Sequence, residues 1–463
     1  METLQSNQMH LKYLPSVMKN PRNSHSAFTL VELVVSCALI VAILGLLLTS
    51  VDQTRRVVNS TTARVAQFQA ARAGFDAMTR NLSQATLNTY WDLDFDPASG
   101  NPTGYRRQSD LHFVSRKAAQ TLAENQFFGI TDTEGKDETK YPTHSIFFQA
   151  PIGQTALTET ATSTARQYRA LSNMLSVVGY YIKWDEDLNL PKFILPNAAT
   201  PDTALVPRRL RYRLMEVIQP GEAMMVYNNQ NYTNLKYSDT GALTEPSPTP
   251  SPFKLPTDWV RVATGKLPPH AELTAAFSSI KQQDYSRILA ENIVALIILP
   301  KVSERDRSGP DALNDLTDNF EYDSRPKPAF DSQALKLPVN SDLKNLANKL
   351  TPKQLKQLHQ LPPILQVTMV AIDEASAVKL HDYSKAKLAY KPPTWFKDMT
   401  TDNQLTKVTN FADFQMQLGD PAGADPKSLI GRLSNVDGSQ PTPKMNYRVF
   451  TTDVILRNSK WSK

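Results

Sequence analysis

The stretch "SHSAFTLVELVVSCALIVAILGLLLTSV", residues 24–51, decides the fold class, because it is the one segment apolar enough for lipid. From Phe28 to Val51 it is apolar apart from Glu32 and a few small polar residues, and about 20 such residues span a bilayer core. An ionisable group inside a membrane usually has a partner. Glu32 is therefore either held near the lipid headgroups or paired with a neighbouring molecule.

The chain around this stretch favours one long helix. No proline falls between Arg22 and Asp96, although the chain has 32 prolines, and a proline inside a helix costs about 3 kcal/mol. Downstream, apolar residues recur at spacings of three, four and seven, which indicates one apolar helix face. They are Val58, Val65, Phe68, Phe75, Met78, Leu82 and Ala85. We expect a single helix with a transmembrane half, residues 28–51, and an amphipathic half, residues 52–89.

Short runs rich in β-branched and aromatic residues follow the helix. They lie at 110–115, 144–152, 177–184, 208–218, 292–300, 363–373 and 447–456. Strands in succession, without alternating helices, are typical of an antiparallel sheet. The predicted fold class is α+β, with the long N-terminal helix packed on an antiparallel β-sheet formed within residues 90–463.

Long polar, proline-containing segments interrupt the predicted strands at about 235–285, 301–362 and 384–445. The first includes "TEPSPTPSPFKLPTDW", residues 244–259, which is typical of an extended polyproline-like loop. Loops of this length are uncommon in a compact domain unless they are functional or disordered. We expect exposed insertions in a smaller core.

Charge and cysteine content exclude some classes of function. The net charge of +6 comes from 51 basic and 45 acidic residues, and no dense basic run interleaves with aromatic residues, so nothing supports nucleic-acid binding. The single cysteine, Cys37, lies in the apolar run. No intramolecular disulfide and no multi-cysteine zinc site can form.

The segment "AFTLVELVVS", with a basic leader before it, resembles the processing site of type IV pilins and type II secretion pseudopilins. The resemblance implies that prepilin peptidase removes the leader, residues 1–27, by cutting between Ala27 and Phe28. It also implies N-methylation of Phe28 and pairing of Glu32 with the terminal amine of a neighbouring subunit. Ala27 departs from the glycine usual before the cut, which affects how efficiently the chain is processed.

The order of the later segments resembles an enlarged J-type minor pseudopilin, and more narrowly the Verru_Chthon cassette protein C family of Verrucomicrobia. Patches such as "HSIFFQAP", "LAENIVALIILPK" and "YRVFTTDV" carry this resemblance. It implies a single-pass protein of the bacterial inner membrane, with a cytoplasmic leader and a periplasmic C-terminal domain. The implied partners are prepilin peptidase, other pilin-like subunits and membrane lipid.

The sequence offers few groups for catalysis or metal binding. Common hydrolase, metalloprotease and nucleotide-binding motifs are missing. Asp92, Asp94 and Asp96 have the spacing of a calcium loop, but Pro97 replaces the loop glycine, and we expect an acidic turn with no bound metal. The adjacent Asp373 and Glu374 fit the start of a helix, with Asp373 as its N-cap. Two histidines, His112 and His144, fall in predicted strands and are expected to be structural.

We therefore expect no enzymatic activity and no cofactor. Three functions stay open at this stage. The chain is a structural subunit of a periplasmic or surface filament, as a minor pilin or pseudopilin would be. Alternatively, it is an adhesin or substrate-binding module displayed on such a filament, with the proline-rich loops as contact surface, or a simple membrane-anchored periplasmic domain.

Overall fold

The computed structural model describes residues 29–95, 101–117, 141–154, 173–186, 209–224, 226, 236–237, 243–244, 259–260, 285–303, 316, 321–325, 356–393, 428–435 and 442–460. The helices are α1 (Leu30–Leu82), α2 (Glu374–Lys387) and α3 (Leu429–Ser434). The strands are β1 (Tyr90–Phe95), β2 (Pro102–Gln108), β3 (Val114–Lys117), β4 (His144–Ala150), β5 (Ser176–Asp185), β6 (Arg211–Gln219), β7 (Lys236–Tyr237), β8 (Leu243–Thr244), β9 (Ser286–Glu291), β10 (Ile293–Lys301), β11 (Tyr322–Asp323), β12 (Ile364–Ile372) and β13 (Tyr447–Ile455).

The α+β class is confirmed, and all strand pairs are antiparallel. The strands do not form one sheet, however. A six-stranded sheet has the order β11-β3-β4-β5-β6-β9, and a three-stranded sheet has the order β10-β12-β13. Two separate pairs, β1-β2 and β7-β8, complete the described strands.

Six of the seven predicted strands match closely, and they are β4, β5, β6, β10, β12 and β13. Residues 110–113 precede β3 rather than belonging to it, so His112 does not lie in a strand. The hairpin β1-β2 and strand β9 were not predicted. Most of the three proposed insertions lies outside the described residues, although α2 extends past position 384 and α3 lies within the third.

The long N-terminal helix is confirmed, and it ends at Leu82, short of the predicted position 89. The chain forms two compact units, Met1–Thr62 and Ala63–Lys463. Within the second unit, Phe75, Met78 and Leu82 of α1 are buried. Val65 is half exposed, so the predicted apolar face is buried only toward its C-terminal end.

A buried polar group joins the end of α1 to the six-stranded sheet. The side-chain amide of Asn81 donates a hydrogen bond to the Tyr180 hydroxyl at 2.8 Å, and that hydroxyl donates to Glu216 at 2.9 Å. Arg287 donates to the same carboxylate at 2.6 Å. A buried carboxylate is costly unless it is paired, so these contacts fix α1 against β5, β6 and β9.

Asn292 carries the chain from one main sheet to the other, because it is the single residue between β9 and β10. Its φ of 62° is left-handed, a conformation that asparagine tolerates better than most residues. Its backbone N–H donates to Tyr212 O at 2.8 Å, and its carbonyl accepts from Ile372 at 2.9 Å. One residue therefore hydrogen-bonds to strands of both sheets.

The free edge of β10 is capped by side chains at the start of β4. The N–H of Leu296 donates to the Thr143 hydroxyl, and the N–H of Ile298 donates to His144 Nδ1, each at 3.0 Å. Unpaired edge groups of a buried strand would otherwise cost free energy. His144 is therefore structural, as predicted.

Gly179 on β5 lies directly opposite Phe147 on the neighbouring strand β4. A Cβ atom at position 179 would lie less than 3.0 Å from two carbons of the Phe147 ring, which is buried. We expect Gly179→Ala to lower the free energy of unfolding by about 1–3 kcal/mol, as overpacking does. Urea unfolding of the detergent-solubilised full chain measures this.

Gly104→Ala is the matched control, because Gly104 also lies in a strand and nothing stands within 4 Å of its added Cβ. Its effect should stay within about 0.5 kcal/mol. Equal destabilisation by the two substitutions would contradict the packing argument.

Candidate functional site

The apolar part of α1 is the most unusual surface of the described chain. The helix is long and apolar enough to cross a membrane, and none of its most apolar window is buried. Leu30 is 80% exposed and Leu46 is 72% exposed. Length and composition of this kind fit a membrane anchor or a signal sequence.

Polar side chains within this run bond to the helix itself. Ser36 donates to Glu32 O at 2.7 Å, and Thr49 donates to Leu46 O at 2.8 Å. Such bonds satisfy hydroxyl groups without a partner from solvent. The run therefore keeps an apolar surface, with Glu32 as the one ionisable carboxylate before Asp52.

Thr29 and Glu32 form a reciprocal arrangement at the first turn. The backbone N–H and the hydroxyl of Thr29 lie 3.4 Å from Glu32 Oε2, and the N–H of Glu32 lies 3.3 Å from the Thr29 hydroxyl oxygen. This is a capping box, in which Thr and Glu satisfy each other's backbone donors. Thr-x-x-Glu before an apolar run is the sequence signature of this box, and it could have identified the cap.

The capping box gives Glu32 a role within its own chain, because a carboxylate in the first turn also interacts favourably with the helix dipole. Two of the predicted site residues, Ala27 and Phe28, lie outside the described residues. The structure therefore places Glu32 at the helix start, immediately after the segment where cleavage is predicted.

The adjacent acidic residues Asp373 and Glu374 begin α2, as predicted. The Asp373 carboxylate accepts from Ser376 N at 2.8 Å, which is an N-cap bond. It also forms an ion pair with Arg64 of α1 at 2.9 Å. Glu374 pairs with Arg211 at 2.9 Å. These carboxylates stabilise a helix start and its packing, and each is already occupied by partners.

His112 belongs to a buried polar cluster instead of an exposed catalytic group. Its Nδ1 accepts from Trp259 Nε1 at 2.9 Å, so its Nε2 donates to Asp323 at 2.6 Å. Asp323 also pairs with Arg116. With both ring nitrogens engaged and no exposed surface, His112 cannot take a proton from a substrate.

The electrostatics of this cluster follow from its burial. Burial lowers the pKa of His112 despite the neighbouring Asp323 carboxylate, so the ring is neutral. Burial alone would raise the pKa of Asp323, but interactions with His112 and Arg116 outweigh it and hold that pKa below its usual value. The cluster is a neutral histidine bonded to a charged carboxylate.

The predicted acidic turn is wrong for two of its three residues. Asp92 and Asp94 belong to β1, and in the strand register their backbones lie opposite Arg106 and Gly104 of β2. Asp96 lies outside the described residues. Across the part of the chain that the structure describes, no group of three or more His, Cys, Asp or Glu residues is arranged to hold a metal ion.

Comparison with known proteins gives no relative: no family model, curated protein or solved structure matches this chain.

The neutral state of His112 predicts an acid-sensitive domain. The histidine pKa in the unfolded chain is about 6.5, so below this pH the unfolded state binds a proton that folded His112 does not. Stability is therefore lost as pH falls below about 6.5, by up to about 1.4 kcal/mol per pH unit. Asp323, with its lowered pKa, adds a further loss below about pH 4.

His112→Gln removes the first of these contributions. We expect the variant to be less stable at neutral pH but to lose less stability between pH 6.5 and pH 5 than the unaltered chain. Urea unfolding at both pH values gives the comparison. The same pH dependence in both proteins would contradict a neutral, buried His112.

Proposed function

We propose that this protein is a structural subunit of a filament of the type II secretion or type IV pilus class, as a minor pilin-like component. Prepilin peptidase would remove residues 1–27, and the N-terminal helix would anchor the chain in the inner membrane before assembly. The domain after the helix would lie in the periplasm. The protein would have no enzymatic activity of its own.

The observation that carries this proposal is the start of α1. An exposed apolar helix begins directly after the predicted cleavage point, and its one early carboxylate, Glu32, is held at the first turn. An isolated charge in lipid is costly. Pairing with the amine of a neighbour's Phe28 would remove that cost and fix the axial offset between two helices.

The bulk of the chain supports a minor rather than a major component. The second unit, Ala63–Lys463, holds most of the mass, and so large a domain fits poorly into a regular polymer of one subunit. A few copies at or near one end of a filament would accommodate it.

Processing is the first step to test, by mass spectrometry and N-terminal sequencing of protein from its native membrane. We expect a chain that begins at N-methylated Phe28. Ala27→Gly restores the residue usual in the pilin families and should be cut at least as completely. Ala27→Lys is the negative control and should retain the leader. An unaltered chain that keeps Met1 would contradict the proposal.

A pair of substitutions separates the charge of Glu32 from its capping role. Glu32→Gln keeps the capping box, since glutamine serves there too, but removes the charge. Thr29→Ala removes the cap, which costs about 1 kcal/mol, and keeps the charge. We expect Glu32→Gln to reduce co-purification with pilin-like subunits about tenfold or more, as loss of a charged contact does, and Thr29→Ala to have a small effect.

The fraction of protein recovered with partner subunits after shearing and sedimentation measures assembly. A loss of assembly in Thr29→Ala, with normal assembly of Glu32→Gln, would assign Glu32 to helix capping alone. Normal assembly of Glu32→Gln would contradict its pairing with a neighbouring amine.

A further inference from the structure

A cavity of about 330 Å³ lies where the hairpin β1-β2 meets the segments before β12 and after β13. Its walls include Trp91, Arg107, Gln360, Asn458 and Lys460. This volume falls at the lower end of the range for small-molecule sites, about 300–1,000 Å³. All these residues belong to the second unit of the chain.

The cavity wall favours an anion. Among the described residues, its lining contains Arg107 and Lys460 but no Asp or Glu. The Nε atom of Arg107 is buried and has no hydrogen-bond partner among the described residues. A carboxylate in the cavity would balance the positive charges of Arg107 and Lys460.

Trp91 adds an aromatic surface beside this charge. Its side chain is 66% exposed, and the Arg107 guanidinium lies 5.7 Å from the ring centroid. An exposed indole presents a flat apolar face that another ring can stack on. The cation near the ring also holds the indole in place.

Leu87 and Leu361 also line the cavity, and its other polar residues are held in place by hydrogen bonds. Gln360 accepts a hydrogen bond from Arg107, and its amide donates to Lys460 O at 3.4 Å. Asn458 donates to Ala85 O at 3.1 Å. His359 holds a left-handed φ of 52° and donates its N–H to Ser324 O at 2.7 Å. Strained residues of this kind often cluster at binding sites.

We propose that this cavity binds a carboxylate-bearing sugar residue of an acidic polysaccharide. The ring's C–H face would lie on Trp91, the carboxylate would contact Arg107 and Lys460, and hydroxyl groups would contact Gln360 and Asn458. An exposed aromatic ring together with amide and cationic side chains suits such a ligand. A plain inorganic anion would leave the aromatic surface unused.

This inference does not depend on filament assembly, since it concerns only the domain. Detergent-solubilised full chain is titrated with trigalacturonate, and the neutral galactose trimer and acetate serve as comparison ligands, all by isothermal titration calorimetry. We expect saturable binding of trigalacturonate and at least about tenfold weaker binding of the other two.

Variants locate the site. Trp91→Ala and Lys460→Gln change exposed side chains and should each weaken trigalacturonate binding about tenfold. Tyr105→Ala is the matched control, because Tyr105 is 73% exposed on the same hairpin but does not line the cavity. Its affinity should stay unchanged, and thermal unfolding verifies that each variant is folded.

Three results would overturn the proposal. They are no binding of trigalacturonate by the full chain, equal binding of the neutral trimer or of acetate, and equal loss of affinity in Tyr105→Ala and Trp91→Ala. Binding that survives in a chain failing to assemble would leave this proposal standing and count only against the filament role.

Discussion

The domain depends on the constraint that one residue must take the chain out of the six-stranded sheet and into the three-stranded sheet. Asn292 does this with a left-handed backbone and hydrogen bonds to β6 and β12. Its side-chain amide donates to Glu374 at 2.8 Å, and Glu374 is also bound by Arg211. The passage of the chain through Asn292 therefore also fixes where α2 begins. It also brings strand β10 into contact with β4, β5 and β6.

The two parts of the long helix α1 differ in how far their apolar side chains are exposed. Its early part exposes leucine, valine and isoleucine, while its last turns bury Phe75, Met78 and Leu82. Each fully buried side chain of this size contributes roughly 1.5–3 kcal/mol, so the last turns of the helix are well anchored in the domain. The exposed run makes no such contacts in the described chain, and its length and composition fit a membrane anchor or a signal sequence.

Three buried acidic groups among the described residues serve structure. Asp373 caps α2, Glu216 receives bonds from α1 and β9, and Asp323 holds a neutral histidine. Each is paired, which is what burial of a carboxylate requires. Glu32 differs because it is exposed on an otherwise apolar surface, and its capping bonds at 3.3–3.4 Å are long. A stronger partner could displace them at little cost.

The sequence by itself determined the proline-free helix, the strands β4, β5, β6, β10, β12 and β13, and the N-cap at Asp373, because these depend on local composition and spacing. Tertiary structure decided the division into separate sheets, since that rests on the backbone of Asn292 and on side chains from β4 that cap β10. It also decided the hairpin of β1 and β2, because the register of that hairpin depends on the pairing between the two strands. The cavity beside Trp91 exists only because residues about 270 and 370 positions apart come together in the fold, and no local pattern records such a contact.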